Sequence, residues 1–285
     1  MCWRCLSLPG EPVRLSRRGF GQSVLAAAAL PLSCLPSGAD DIVEPAMSLA
    51  VPGGGPRIVA LTLDACSGAV DRRIVDVMLH LSIPATIFVT KLWLHSNAEA
   101  LALMRARSDL FTLQNHGELH LPPVLGARRV YGLQVAGDLD TVNREVTHGA
   151  DAVAATGSAR PRWYRGAAGL YSPAAIAAIV ADGSAIAAYS LNADEGASLP
   201  AASVARRIAA ARSGDVIIAH INQPHRPSGG GVAAGIAELQ KSGTVFAGLD
   251  MFPMTALTCR PYAAGRQVAD GQVRNGQVSN QAVRL

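Results

Sequence analysis

The sequence predicts an α/β fold: a distorted (β/α) barrel with about seven parallel strands. Three observations lead to it. From Arg57 onward, short apolar and β-branched runs alternate with longer alanine-rich stretches at helical spacing. The junctions carry helix start and stop signals that agree with this alternation. Polar residues gather at the ends of the strand-like runs, which is where a parallel barrel collects its chemistry.

In chain order, strands are expected at 58–65 (IVALTLDA), 85–90, 110–116, 162–167, 185–192, 215–221 and 244–250. Helices are expected between them, at 71–82, 95–109, 136–156, 172–182, 200–213 and 231–242. Pro173 and Pro200 suit first turns, and Gly157, Gly183, Gly214 and Gly243 follow the last helical residues. Right-handed crossovers leave few topologies for such a series. An open doubly wound sheet is the competing arrangement, but no GxGxxG follows the first strand. Residues 118–135 break the alternation with Pro122-Pro123 and a glycine-rich stretch, and are expected to form a loop over the barrel mouth.

The 285 residues, 49% apolar, suffice for one large domain. Ser16-Arg17-Arg18-Gly19-Phe20 precedes a short apolar run and small residues at Ser37 and Ala39, the pattern of a twin-arginine export signal spanning 1–39. An N-terminal extension over 40–56 and a main domain over 57–255 would follow, then a tail over 256–285 that is too polar to pack from about 264. The leader's apolar run falls short of the roughly 20 residues that span a bilayer, so no stable membrane anchor is expected. Cys34 in PLSC resembles a lipoprotein cleavage site only weakly, with Pro31 where leucine is usual, and is read as part of the leader.

The net charge of +4 shrinks to near neutrality once residues 1–39 are set aside, leaving 21 basic and 20 acidic residues. No dense basic patch remains to displace counterions, which excludes nucleic acid as an expected partner. Cys2 and Cys5 lie ahead of the export signal. Cys66 and Cys259 remain in the mature chain, and an oxidising compartment would allow a bridge between them.

The chemistry-bearing islands are Asp64 in ALTLDACSG, His116 and His120 in NHGELH, Arg165 in WYRGAAG, Asp194 in SLNADEG and His220 in IIAHINQP. Two histidines four apart can offer imidazoles to one metal ion, the spacing seen in zinc hydrolases. Alone, the pair more often describes two surface histidines on a helix. Together with a carboxylate, a guanidinium and a third imidazole at strand ends, it suits hydrolysis of an amide or ester. That reaction needs a water nucleophile, a base, a positive centre and an acid for the leaving group. Trp163, Tyr164 and Tyr171 flank Arg165, either as faces for a sugar to stack on or as ordinary packing.

In this order, over residues 57 to about 250, the islands resemble the polysaccharide deacetylases of the NodB homology type. That family folds as a distorted barrel, holds a divalent metal on two histidines and an aspartate, and removes N- or O-acetyl groups from sugar polymers. The resemblance implies His116 and His120 as metal ligands, Asp64 as base, Arg165 as its partner, and His220 as an acid held by Asp194. One divalent ion, zinc, is the cofactor this implies. A second aspartate usually follows the first, and Ala65 stands in its place. The third ligand is expected to be Asp71, with Cys66, on the same side of the strand as Asp64, and Asp64 itself as alternatives. A helix N-terminal carboxylate is the plain alternative for Asp71, and a buried or bridged thiol for Cys66.

The function this implies is an exported, periplasmic or secreted hydrolase of acetylated sugars in peptidoglycan or another envelope polysaccharide. Two other readings remain: hydrolysis of a small non-peptide amide, and a metal-free polysaccharide-binding pseudoenzyme, prompted by Ala65.

Overall fold

A computed structural model describes residue 34 and residues 41–262. The twin-arginine segment and the polar stretch after 263 lie outside the described residues. The barrel begins with β2 (Ile58–Ala65), following a short β1 (Val43–Ala46) in the extension, and continues through α1 (Arg72–Leu81) and β3 (Ala85–Val89). Next come α2 (Lys91–Ser96), α3 (Ala98–Ala106), β4 (Phe111–Asn115), the ribbon β5 (Arg129–Val130) and β6 (Leu133–Gln134), and the long α4 (Leu139–Ala155). The second half holds β7 (Trp163–Tyr164), α5 (Pro173–Ala181), β8 (Ala185–Ile186), β9 (Leu191–Asn192), α6 (Ala201–Ala209) and β10 (Val216–His220). It closes with α7 (Ser228–Lys241), β11 (Val245–Phe246) and β12 (Thr258–Pro261).

The main sheet runs in the order β8-β7-β4-β3-β2-β10-β9, with β11 added at the start of β2. Every pairing in it is parallel, so the sheet curls into the expected distorted barrel. The stretch expected as one strand at 185–192 is two short strands, β8 and β9, at opposite edges of this arc. Residues 187–190 cross the seam between them. The helix expected at 95–109 likewise divides, at Asn97, whose side chain bonds to the Trp93 and Gly68 carbonyls and to the Val70 amide.

Period-two alternation sorts the side chains. Leu61, Leu63 and Ala65 of β2, Ile87 and Val89 of β3, and Ile217 and Ala219 of β10 pack with the helices in one core. Their neighbours in the chain, Ala60, Phe88, Val216 and Ile218, pack with Trp163, Ala187, Ala188 and Tyr189 in a second core inside the barrel. Asp64 and His220 stand opposite each other in register at the last rungs of β2 and β10. The inward face therefore ends in polar groups at the carboxyl ends of the strands.

Segments at the two ends of the described chain are tied together. Antiparallel pairing joins β1 to β12, and a disulfide links Cys34 to Cys259. Cys259 is thus not Cys66's partner, and Cys66 is a free, buried thiol. The bridge also fastens to the barrel a residue that the export reading assigns to the leader. Cleavage near Ala39 would leave the leader fragment attached through sulfur unless it preceded oxidation. Within 118–135, Val124, Val130 and Val135 pack with Leu170, so this covering segment has a small core of its own. Among the described residues, no helix is long and apolar enough to cross a membrane.

Helix α4 docks closely on the end of β4. A Cβ added at Gly149 would meet Asn115 Oδ1 at 2.2 Å and the Gly117 carbonyl carbon at 2.7 Å. Glycine to alanine in a free helix gains up to about 1 kcal/mol, but here backbone atoms would have to move. Gly149→Ala should therefore lose about 1–3 kcal/mol of stability, as overpacked sites do, measured by urea unfolding. A gain in stability would show that the helix can lift without cost.

Candidate active site

A buried ion pair crosses the barrel mouth. Arg165, one residue past β7, sends Nη1 to Asp64 Oδ1 at 2.8 Å, with both side chains almost fully buried. The same guanidinium donates to the Ala187 and Ala188 carbonyls at 3.1 and 3.2 Å and lies 4.1 Å from the centre of the Phe88 ring. It thus satisfies backbone groups at the seam between β8 and β9 while holding the carboxylate. Burial works against the charge on Asp64, but Arg165, then His116 and His220, outweigh it and lower the pKa. Asp64 is held ionised, with Oδ2 3.7 Å from His116 Nε2.

The second cluster is Cys66, His116 and His120, whose donor atoms all lie within 4.8 Å of one another. Cys66 Sγ is 3.5 Å from His116 Nε2, and the two imidazoles meet edge to face with centroids 5.0 Å apart. His116 Nδ1 lies 2.7 Å from the Arg165 carbonyl. A carbonyl only accepts, so Nδ1 carries the proton and a neutral His116 turns the Nε2 lone pair toward Cys66. Burial opposes ionisation of the Cys66 thiol, but His116 beside it, with hydrogen bonds to His116, His120 and His220, brings its pKa well below the ordinary value. Burial also disfavours the charged form of His116, yet Asp64 and Cys66 raise its pKa overall.

On the third side stands His220, at the end of β10. Its Nδ1 is 3.0 Å from Asp194 Oδ1, and its backbone N–H donates to Asp194 Oδ2 at 2.7 Å. Asp194 is fully buried, in a loop fixed by the Ala193 N–H bond to the Ile218 carbonyl at 3.0 Å. Burial lowers the pKa of His220, but Asp194 reverses this and lifts it well above the ordinary value. The imidazole is thereby kept as a proton donor, with Nδ1 committed to Asp194.

Residues 52–187 match the family model for polysaccharide deacetylases. That segment, just under half of the chain, is similar to polysaccharide deacetylases. Its barrel resembles that of a family 4 carbohydrate esterase from Streptomyces lividans, with a TM-score of 0.52 and 16% identity over 67% of this chain and 92% of that one. The peptidoglycan deacetylase PdaC from Bacillus subtilis aligns with a TM-score of 0.53 and 16% identity, covering 68% of this chain and 89% of that one. A CE4 family pseudoenzyme from Bacillus anthracis aligns with a TM-score of 0.53 and 14% identity, covering 68% of this chain and 64% of that one. At such identities the likeness is one of fold. No curated protein sequence matches the chain.

In this barrel, Asp71 does not stand with the candidate metal ligands. It caps α1, accepting from the Arg73 N–H at 3.1 Å, and both its oxygens are taken by the Arg73 guanidinium, at 2.9 and 2.6 Å. The cap satisfies an orphan amide of the first turn, and the arginine neutralises a carboxylate that is otherwise buried. Cys66, not Asp71, stands beside His116 and His120.

The aromatic residues are not arranged as a sugar platform either. Trp163 donates to Asp250 at 3.0 Å at the amino-terminal end of β7. Tyr164 and Tyr171 are buried in the core beneath the covering segment. Glu118 accepts from Lys91 and His148, at 2.7 Å each. Asn222 is buried and donates to the Ser67 carbonyl, while the Pro224 carbonyl accepts from Arg73 at 2.9 Å.

One buried carboxylate beside the site escapes the sequence reading altogether: Glu145, within α4. The available signal is a carboxylate on the stripe formed by Val142, Val146, Gly149 and Val153.

Removing one partner of the central pair strands a buried charge. Arg165→Met should cost about 3–5 kcal/mol in urea unfolding, and adding Asp64→Asn should recover much of it. A loss below about 1 kcal/mol, the range of exposed pairs, would mean that water reaches Asp64.

Proposed function

We propose that the chain is an exported, metal-dependent hydrolase that removes acetyl groups from N- or O-acetylated sugars of peptidoglycan or another envelope polysaccharide. One observation carries this reading: Asp64, paired with Arg165, and His220, held by Asp194, flank a Cys66–His116–His120 donor cluster at one barrel mouth. The donors fit a zinc-sized ion. A tetrahedral zinc about 2.3 Å from sulfur and about 2.1 Å from nitrogen has a sulfur–nitrogen edge of about 3.6 Å, against 3.5 Å between Cys66 Sγ and His116 Nε2. A thiolate with two imidazoles also favours zinc over magnesium or manganese.

A divalent ion held there supplies Lewis acidity toward the acyl carbonyl and water. The chain's own groups do the rest. Asp64 Oδ2, left free because Arg165 holds Oδ1, accepts the proton of the attacking water. His220 Nε2 donates a proton to the departing sugar nitrogen or oxygen, while Asp194 fixes the ring through Nδ1. Arg165 serves both halves of the site: its side chain orients the base, and its carbonyl sets the tautomer of His116.

The pseudoenzyme reading rests on Ala65, since a missing ligand would leave a metal-free sugar-binding barrel. Cys66 answers it by supplying a third donor from the residue after. The deciding assay is acetate release from a panel of acetylated glycans, with and without chelator, beside the metal content of the purified protein. Chelator-sensitive release with about one zinc per chain is expected; a metal-free protein that binds glycan and releases no acetate would establish the alternative. Cys66→Ser should lose the metal and Asp71→Asn keep it, and the reverse pattern would restore Asp71 as a ligand. His220→Ala should keep its metal and lose about 100- to 10,000-fold in turnover, the usual worth of a general acid; loss of metal would instead place His220 among the ligands.

A further inference from the structure

His120 holds a left-handed backbone conformation that few non-glycine residues adopt. Its φ is 63°, in the left-handed region, where Cβ crowds the following carbonyl. The short loop that carries it starts at Gly117, with φ 95°. Something must hold this turn in place, and the group that does so comes from α4. The Glu145 carboxylate is 2% exposed. Its Oε1 accepts from the Leu119 N–H at 2.9 Å, and its Oε2 accepts from Glu118 and Leu119 at 3.1 Å and Leu121 at 3.4 Å.

These amides lie on both sides of His120, so the histidine is suspended between two anchored peptide groups. Among the described residues, Glu145 bonds to backbone amides and to no cationic side chain. Burial raises its pKa and the amide bonds hold it down, with a net rise. An anion buried without a counter-ion is costly for packing alone; as an acceptor for several amides of one strained turn it has a purpose. The fit is close, since a Cβ at Gly117 would sit 2.6 Å from Glu145 Oε2. The outer side of the loop is latched separately, where Glu118 meets Lys91 and His148.

We infer that Glu145 is a positioning residue for the metal site: it fixes the left-handed turn at His120 so that this imidazole faces Cys66 and His116. The inference rests on the reading that these three residues hold a divalent ion. Glu145→Gln keeps the shape and replaces one acceptor oxygen with an NH2 group that faces amide donors. Zinc affinity of the full chain, by chelator competition, should fall about tenfold or more, as for other groups that orient metal ligands. The visible spectrum of the Co2+-loaded variant should shift toward that of His120→Ala. In a His120→Ala background, Glu145→Gln should weaken zinc binding no further.

Wild-type protein that binds neither Zn2+ nor Co2+ would overturn the metal-site reading and this inference with it. Wild type that binds, with Glu145→Gln binding equally well, would overturn this inference alone. An equal loss in both backgrounds would also overturn it, because the effect would then not act through His120. Should Glu145→Gln fail to fold, Glu145→Asp, which keeps the charge and shortens the reach, carries the same comparison with the same expected and contrary results.

Discussion

Asp64 and Arg165 form the contact around which the mouth of this barrel is organised. Two opposite charges leave water only when their geometry and remaining hydrogen bonds are nearly complete. Here the guanidinium meets Asp64, two carbonyls at the β8–β9 seam and the face of Phe88. The pair closes the barrel where the sheet is interrupted and fixes the charge of the base in one arrangement. Stability and chemistry are therefore hard to separate at this point. The same residue's carbonyl orders His116, so the metal-donor cluster is also registered to it.

The fold was legible because the barrel writes itself in two local periods. Alternation along 58–65 put Asp64 and Cys66 on one side, and helical spacing with its prolines and glycines marked α1, α4, α5 and α7 to within a few residues. The departures have long-range causes. The run at 185–192 is strand-like throughout, but its middle crosses the seam, where Ala187 and Ala188 give their carbonyls to Arg165. Nothing near those alanines in sequence records that partner.

The site was legible to a similar limit. Strand-end position picked out Asp64, Arg165, Asp194 and His220, and the register brings Asp64 and His220 side by side. The sequence makes Asp71 a candidate ligand, but a helix-start carboxylate also has a local use, and Arg73, two residues on, takes both its oxygens. Glu145 could not be recognised by type, because its partners are backbone amides, which every residue in the chain but proline possesses. Cys34 shows the same limit for covalent bonds: spacing does not choose among thiols, and the choice followed from the pairing of β1 with β12.

That bridge also changes how the molecule carries load. In a chain left uncut near Ala39, with Cys34 joined to Cys259, the polypeptide between them is a closed covalent ring, and the whole barrel lies inside it. Tension applied to the two terminal segments passes through a single sulfur–sulfur bond and does not reach the strands. An anchored or entangled tail could be pulled hard without the mouth of the barrel being drawn open, and reduction would remove that protection in one step.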